Sequence, residues 1–114
     1  MSTTFNAGAS PVDFQQTLQD FRDEFAQQVP GRVAEARDRL QACWRDPGND
    51  ALVREFYRSV HKIAGSAGTF GMTRLGDDAR AIEMQIENLL AQPLRSADDF
   101  EALVQGVEAL APSA

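Results

Sequence analysis

The sequence is poor in the side chains that most often build metal and redox centres. Its 114 residues include one cysteine, Cys43, and one histidine, His61. A metal site usually needs several Cys, His or carboxylate ligands at short spacing, so the sequence predicts none. A single cysteine also excludes an intrachain disulfide, which agrees with the reducing cytosol. We therefore expect a cytoplasmic protein in which Cys43 is a buried structural thiol.

Basic side chains and long apolar runs are also scarce. The chain has 11 Lys and Arg against 17 Asp and Glu, a net charge of -6, whereas phosphate backbones select basic surfaces. Apolar runs are far shorter than the roughly 20 residues that span a bilayer, and the first ten residues lack the features of a secretory signal. We expect one soluble domain over residues 11–112 after a flexible tail at residues 1–10, with no nucleic acid partner and no membrane insertion.

Apolar residues recur at spacings of three and four through most of the chain, the period of helices with one buried face. This pattern predicts five helical segments. They cover residues 11–29, 33–44, 50–68, 72–92 and 96–110. Helices joined by such short loops favour antiparallel neighbours. The predicted fold is all-α: an antiparallel up-and-down four-helix bundle with an additional N-terminal helix.

Local signals mark the ends of these segments. Pro30 and Gly31 are predicted to separate the first helix from the second, because proline and glycine disfavour helix interiors. Asn49 is a predicted N-cap, and Pro93 is predicted to stop the fourth helix. Ser96 with Asp99 resembles a capping box.

His61 lies outside the apolar stripe of its helix. That stripe consists of Val53, Phe56, Val60, Ile63 and Ala67. At about 100° per residue, His61 is about 120° from the centre of the stripe and should therefore be exposed to solvent. Its neighbours on the wheel, within about 60°, are Arg54, Tyr57, Arg58, Ala64, Gly65 and Gly68.

An exposed neutral imidazole has a free ring nitrogen that can be phosphorylated. Arg54, Arg58 and Lys62 would offset part of the charge of a phosphoryl group, though exposed cations are screened by salt. Gly65 costs about 1 kcal/mol relative to alanine inside a helix. A partner that must approach closely would explain a missing side chain at this position.

The sequence from His61 to Ala67 resembles the signature of histidine-containing phosphotransfer (HPt) domains. It reads His61, Lys62, Ile63, Ala64, Gly65, Ser66 and Ala67, with Gly71 beyond. The resemblance implies that His61 accepts a phosphoryl group from an aspartyl phosphate of one receiver domain and passes it to the aspartate of another. The receivers would belong to a hybrid histidine kinase or a response regulator.

The resemblance also implies roles for the neighbours of His61. Gly65 would leave room for the receiver, and Lys62 would assist with phosphate charge or docking. Phosphorylation would fall on the ring nitrogen remote from the main chain. The chain would be a carrier with no cofactor, since the magnesium used in such relays belongs to the receiver.

One departure and one alternative accompany this prediction. The family often has a lysine where this chain has Ala64. Tyr57 and Ala64 are candidates for an apolar rim that docks the receiver, although Tyr57 is equally well a partly buried bundle residue. No glycine-rich nucleotide-binding segment follows, so autokinase activity is not expected. The alternative function is a helical adaptor that binds a receiver without transfer, and in either case we expect a monomer.

Overall fold

In a computed structural model, residues 11–112 are described, and their side chains from Asp13 onward. The predicted tail at residues 1–10 lies outside this range. All regular structure in the described range is helical. The five elements are α1 (Pro11–Arg45), α2 (Asp50–Thr69), α3 (Thr73–Ala91), α4 (Ala97–Glu101) and α5 (Val104–Glu108).

Helix α1 corrects the predicted break at Pro30 and Gly31, because it continues without interruption through both residues. Pro30 is exposed to solvent, and its missing N–H removes one backbone hydrogen bond from the helix. Beside it on the helix, Val29 and Val33 are buried and keep the inner stripe in helical register. The predicted additional N-terminal helix is therefore the first half of α1 and not a separate element.

The ends of α2 follow from local hydrogen bonds. The Asn49 side chain accepts from the backbone N–H groups of Ala51 (3.1 Å) and Leu52 (3.4 Å), which confirms the predicted N-cap. At the other end Gly71 has a φ of 72°, and the Met72 N–H donates to the carbonyl of Ala67 over 2.8 Å. This is a Schellman ending, which needs a residue without a Cβ at the left-handed position.

Side-chain pairs establish how the long helices run. Arg39 of α1 pairs with Glu55 of α2 (2.7 Å). Phe25, earlier in α1, stacks on Phe70 just beyond the end of α2. As residue numbers rise along α1 they fall along α2, so the two helices are antiparallel. The predicted last helix is split at Ala102 and Leu103 into α4 and α5, and both short helices pack on α1.

The core contains inner-face residues of every predicted segment, although the first turns of α1 contribute none and Val104 is only partly buried. Its members are Phe25, Val29, Val33, Ala36, Leu40, Cys43, Val53, Phe56, Val60, Ile63, Ala64, Ala67, Met72, Leu75, Ala79, Ile82, Ile86, Leu89, Phe100, Leu103, Val107 and Leu110. Burial raises the pKa of the Cys43 thiol to about 11, as expected for a structural thiol. Among the described helices, none is long and apolar enough to cross a membrane.

Candidate functional site

His61 lies in the middle of α2 with its side chain 62% exposed, as the helical wheel predicts. Its Nδ1 is 2.9 Å from Oε2 of Glu83 on α3. An ionised carboxylate has only acceptors, so the hydrogen of this contact belongs to Nδ1. In the neutral ring the free lone pair is then on Nε2, the nitrogen remote from the main chain.

Glu83 is buried although it carries a carboxyl group. Its side chain is 5% exposed, and its Oε1 has no hydrogen-bond partner among the described residues. A buried polar atom without a partner costs about 1–3 kcal/mol. Packing alone would favour an apolar residue here, so the structure places Glu83 at a stability cost directly behind the imidazole.

Tyr57 forms a second contact with the imidazole. The two rings stack with centroids 5.7 Å apart and an angle of 13° between their planes. The Tyr57 hydroxyl donates to Oε2 of Glu87 over 3.0 Å. This hydrogen bond, with partial burial and the nearby Glu83 carboxylate, raises the pKa of Tyr57 to about 12, so the phenol stays protonated at neutral pH.

The two pairs form successive rungs between α2 and α3. Tyr57 and His61 are one turn apart on α2, and their partners Glu87 and Glu83 are one turn apart on α3. Because the pairing order is reversed, α2 and α3 are antiparallel. The imidazole is thus held by a hydrogen bond to Glu83 of α3 and by stacking on Tyr57, whose hydroxyl is itself bonded to Glu87 of α3.

Three cations of α2 are close to His61 in sequence, and two of them, Arg58 and Lys62, lie on its side toward α1. Arg54, Arg58 and Lys62 are exposed, and none makes an ion pair within the described part of the chain. Arg58 and Lys62 border a shallow depression between α1 and α2 that also contains the Arg39–Glu55 ion pair. The site is therefore negative toward α3 and positive toward α1.

Gly65 has no packing reason to be glycine. A Cβ built on it meets no heavy atom within 4 Å, and the residue is exposed one turn beyond His61. Gly76 of α3 differs, since its Cβ would lie 3.6 Å from the Ala67 Cβ and 3.8 Å from the Ala64 carbonyl oxygen. Close helix packing accounts for Gly76, whereas the space over Gly65 is open to a partner.

The structure corrects the placement of Ala64. Its side chain is 3% exposed and belongs to the core, so it offers no surface to a docking rim. The reason is the approach of α3 at Gly76, which covers the side of α2 that the wheel left open. Tyr57 is half-buried, in line with the alternative interpretation of that residue.

Sequence reasoning missed Glu83 and Glu87. Glu83 follows Ala79 by four residues and precedes Ile86 by three, so it falls at inner-face spacing on α3. An acid at such a position is a signal of a buried carboxylate with a partner. Glu87 is exposed and carries no comparable signal, because exposed acids are common on helix surfaces.

Known proteins are similar to this chain over most of its length. The family model of the Hpt domain matches residues 14–112. The chemotaxis protein CheA of Halobacterium salinarum is 22% identical over 94 residues, which are 82% of this chain and 14% of CheA. No solved structure matches the chain. Because the family model covers most of its length, the chain belongs to the Hpt-domain family, the phosphoryl carriers of two-component signalling.

Proposed function

We propose that this chain relays a phosphoryl group between aspartates of receiver domains through a phosphohistidine at His61. The observation that carries the proposal is the Nδ1–Glu83 hydrogen bond on an otherwise exposed ring. It fixes the tautomer in which Nε2 is the nucleophile and limits rotation of the ring. Nothing comparable holds an ordinary surface histidine.

The transfer is a displacement at phosphorus. The Nε2 lone pair attacks the phosphorus of an aspartyl phosphate, the N–P bond forms, and the P–O bond to the aspartate breaks with its electrons on the carboxylate. In the second step the carboxylate of another receiver attacks the same phosphorus, and the bond to Nε2 breaks. Glu83 stabilises the positive charge that develops on the ring in the first step, and the receiver supplies the magnesium ion.

Charges around the ring suit a reversible carrier. The phosphoryl oxygens would lie toward the side of Arg54, Arg58 and Lys62, whose cations attract them. These side chains are exposed, so solvent and salt screen their contribution. The acids Glu83 and Glu87 act in the opposite sense, which favours moderate stability of the phosphohistidine and transfer onward.

The open space over Gly65 supports direct contact with the receiver. Transfer in line needs the aspartyl phosphate within about 3–3.5 Å of Nε2, and this distance brings receiver backbone close to α2. A side chain one turn from His61 would stand in that path. The absence of any intramolecular neighbour at Gly65 supports this explanation of the glycine.

The test is phosphoryl transfer from a panel of phosphorylated receiver domains, with His61→Gln as the matched control. We expect acid-labile label on the wild-type protein and none on His61→Gln, followed by transfer to a second receiver. Tight receiver binding without label on any pairing would contradict the relay and indicate an adaptor instead. Circular dichroism of His61→Gln checks that the exposed substitution leaves the bundle folded.

A further inference from the structure

The first three turns of α1 project beyond the bundle. Every side chain from residue 13 to residue 24 is exposed, and Phe25 is the first buried one. We call residues 13–24 the α1 arm. It carries Phe14 (59% exposed), Leu18 (40%) and Phe21 (51%) in a line that continues into the core at Phe25. A continuous apolar line of this kind marks an interaction surface.

The spacing of the line is that of a coiled-coil seam. Positions 14, 18, 21 and 25 are separated by four, three and four residues, which is a strict alternation of d and a positions in a heptad. The acids Asp13, Asp20 and Asp23 fall at outer c and f positions. The seam is flanked by Gln15, Thr17, Arg22 and Glu24, so no excess of one charge sign opposes a second helix.

We propose that the α1 arms of two copies of this chain pair antiparallel and form a weak homodimer. The bundle decides the orientation. It occupies the seam side of α1 from Phe25 onward, so parallel arms would place both bundles in the same space. Antiparallel arms place the bundles at opposite ends, and each arm covers the apolar line of the other.

A depression at the base of the arm fits the end of the partner arm. It is lined by Phe21 and Phe25 of α1 and by Ser66 and Phe70 at the end of α2. In the antiparallel arrangement the tip of one arm, with Phe14, reaches this level of the other copy. The arm is tied to the bundle there, because Nε of Arg22 donates to the Phe70 carbonyl over 2.7 Å.

The size of the seam sets the strength of the dimer. Three apolar side chains from each copy bury much less than the roughly 1,200–2,000 Å² of a stable interface, so association depends on concentration. His61 lies on α2 and not on the arm, so the seam itself does not include this residue. The proposal departs from the monomer predicted from sequence, because periodicity alone does not reveal that no described residue of the chain covers the apolar line of the arm.

Sedimentation equilibrium of the full chain from micromolar to millimolar concentration tests the dimer. We expect the average mass to rise from 12.5 kDa toward twice that value. The combined variant Phe14→Gln, Leu18→Gln and Phe21→Gln should stay at the monomer mass with unchanged thermal unfolding, because these side chains are exposed. Met84→Gln with Leu94→Gln removes two exposed apolar side chains elsewhere and should associate like the wild type.

Three results would overturn the proposal. The first is a wild type that remains monomeric at millimolar concentration. The second is loss of association in the Met84 and Leu94 control to the same extent as in the arm variant, which would indicate non-specific contact. The third is a Phe14→Cys variant that forms an interchain disulfide on oxidation faster than a Leu94→Cys control, whose exposed thiol reports random collision. Parallel arms would bring the two cysteines into one layer, whereas antiparallel arms keep them beyond the roughly 7 Å limit for Cα atoms.

Discussion

Replacement of Glu83 by leucine should make the protein more stable and the phosphorylation of His61 slower. The Glu83 carboxylate is buried, with Oε2 bonded to His61 and Oε1 without a partner in the described range. Leucine removes a buried charged group and fills the space with apolar atoms. His61 is not left with a buried unpaired group, because its exposed ring bonds to water instead.

The magnitude follows from these contacts. Relief of the unpaired Oε1 and of carboxylate desolvation favours the variant, while loss of the bond to His61 opposes it by about 1.5–3 kcal/mol. Buried charges replaced by apolar residues are often neutral or stabilising by about 1–4 kcal/mol, so we expect a net gain near 1–2 kcal/mol. At about 4–8 °C per kcal/mol in a domain of this size, the Tm should rise by about 5–15 °C.

The same bond determines the loss of reactivity. Without about 1.5–3 kcal/mol of orienting and charge-stabilising interaction, phosphorylation of Nε2 should slow about 10- to 100-fold. Glu83→Gln is the matched variant, because its amide oxygen still accepts from Nδ1. It lacks the charge assistance, and we expect a loss of about fivefold.

Phosphoramidate, a small phosphodonor, measures this reactivity without a receiver, and ¹⁵N spectra of the imidazole report the tautomer. The predicted order of rates is wild type, Glu83→Gln, Glu83→Leu, with a mixed tautomer only in the last. A Glu83→Leu variant as fast as the wild type would refute the role of the hydrogen bond. A lower Tm for this variant would refute the idea that Glu83 is held at a stability cost.

Three other substitutions test separate parts of the description. Gly65→Ala should stabilise α2 by about 1 kcal/mol, since its Cβ meets no neighbour, and slow transfer from receivers but not from phosphoramidate; equal rates with receivers would contradict the close-approach explanation. Tyr57 is the single tyrosine, so near-ultraviolet absorbance should show its ionisation near pH 12. Its folded pKa is above the unfolded value, so its contribution to stability is complete below about pH 10 and is lost as pH rises toward 12; Tyr57→Phe should remove this part of alkaline unfolding. Pro30→Ala should raise the free energy of unfolding by up to about 3 kcal/mol, and an unchanged Tm would mean that α1 bears no proline cost.

Periodicity predicted most of the fold because the spacing of apolar residues along a helix determines which side of the helix faces the core. It placed α2 and α3 within a residue or two of their observed ends and His61 on the exposed side. It failed at Pro30, where burial of the neighbouring inner-face residues Val29 and Val33 outweighed the low helix propensity of proline. Tertiary packing commonly overrides propensity in this way.

The candidate site was predictable only for the residues on α2. A single wheel shows what one helix exposes to solvent but not which neighbour covers its flank, so Ala64 was placed on the surface although α3 covers it. The contact of Glu83 with His61 was missed for the same reason, since the two residues are 22 positions apart along the chain. Contacts between helices require the register of α2 on α3, which the sequence pattern does not specify.

That register is fastened at both ends of the α2–α3 pair. The Arg95 side chain, 4% exposed, donates to the carbonyls of Pro47 (2.8 Å) and Leu89 (3.1 Å) and pairs with Asp50 at the start of α2. The Schellman turn at Gly71 closes the opposite end. Sliding of α3 along α2 would break the Arg95 contacts and the turn at Gly71 at once. We therefore expect the hydrogen bond between His61 and Glu83 to persist with or without a phosphoryl group. Timing of the signal would then reside in the partners, and this chain would act as a passive relay whose lifetime in the loaded state is set by chemistry rather than by a change of shape.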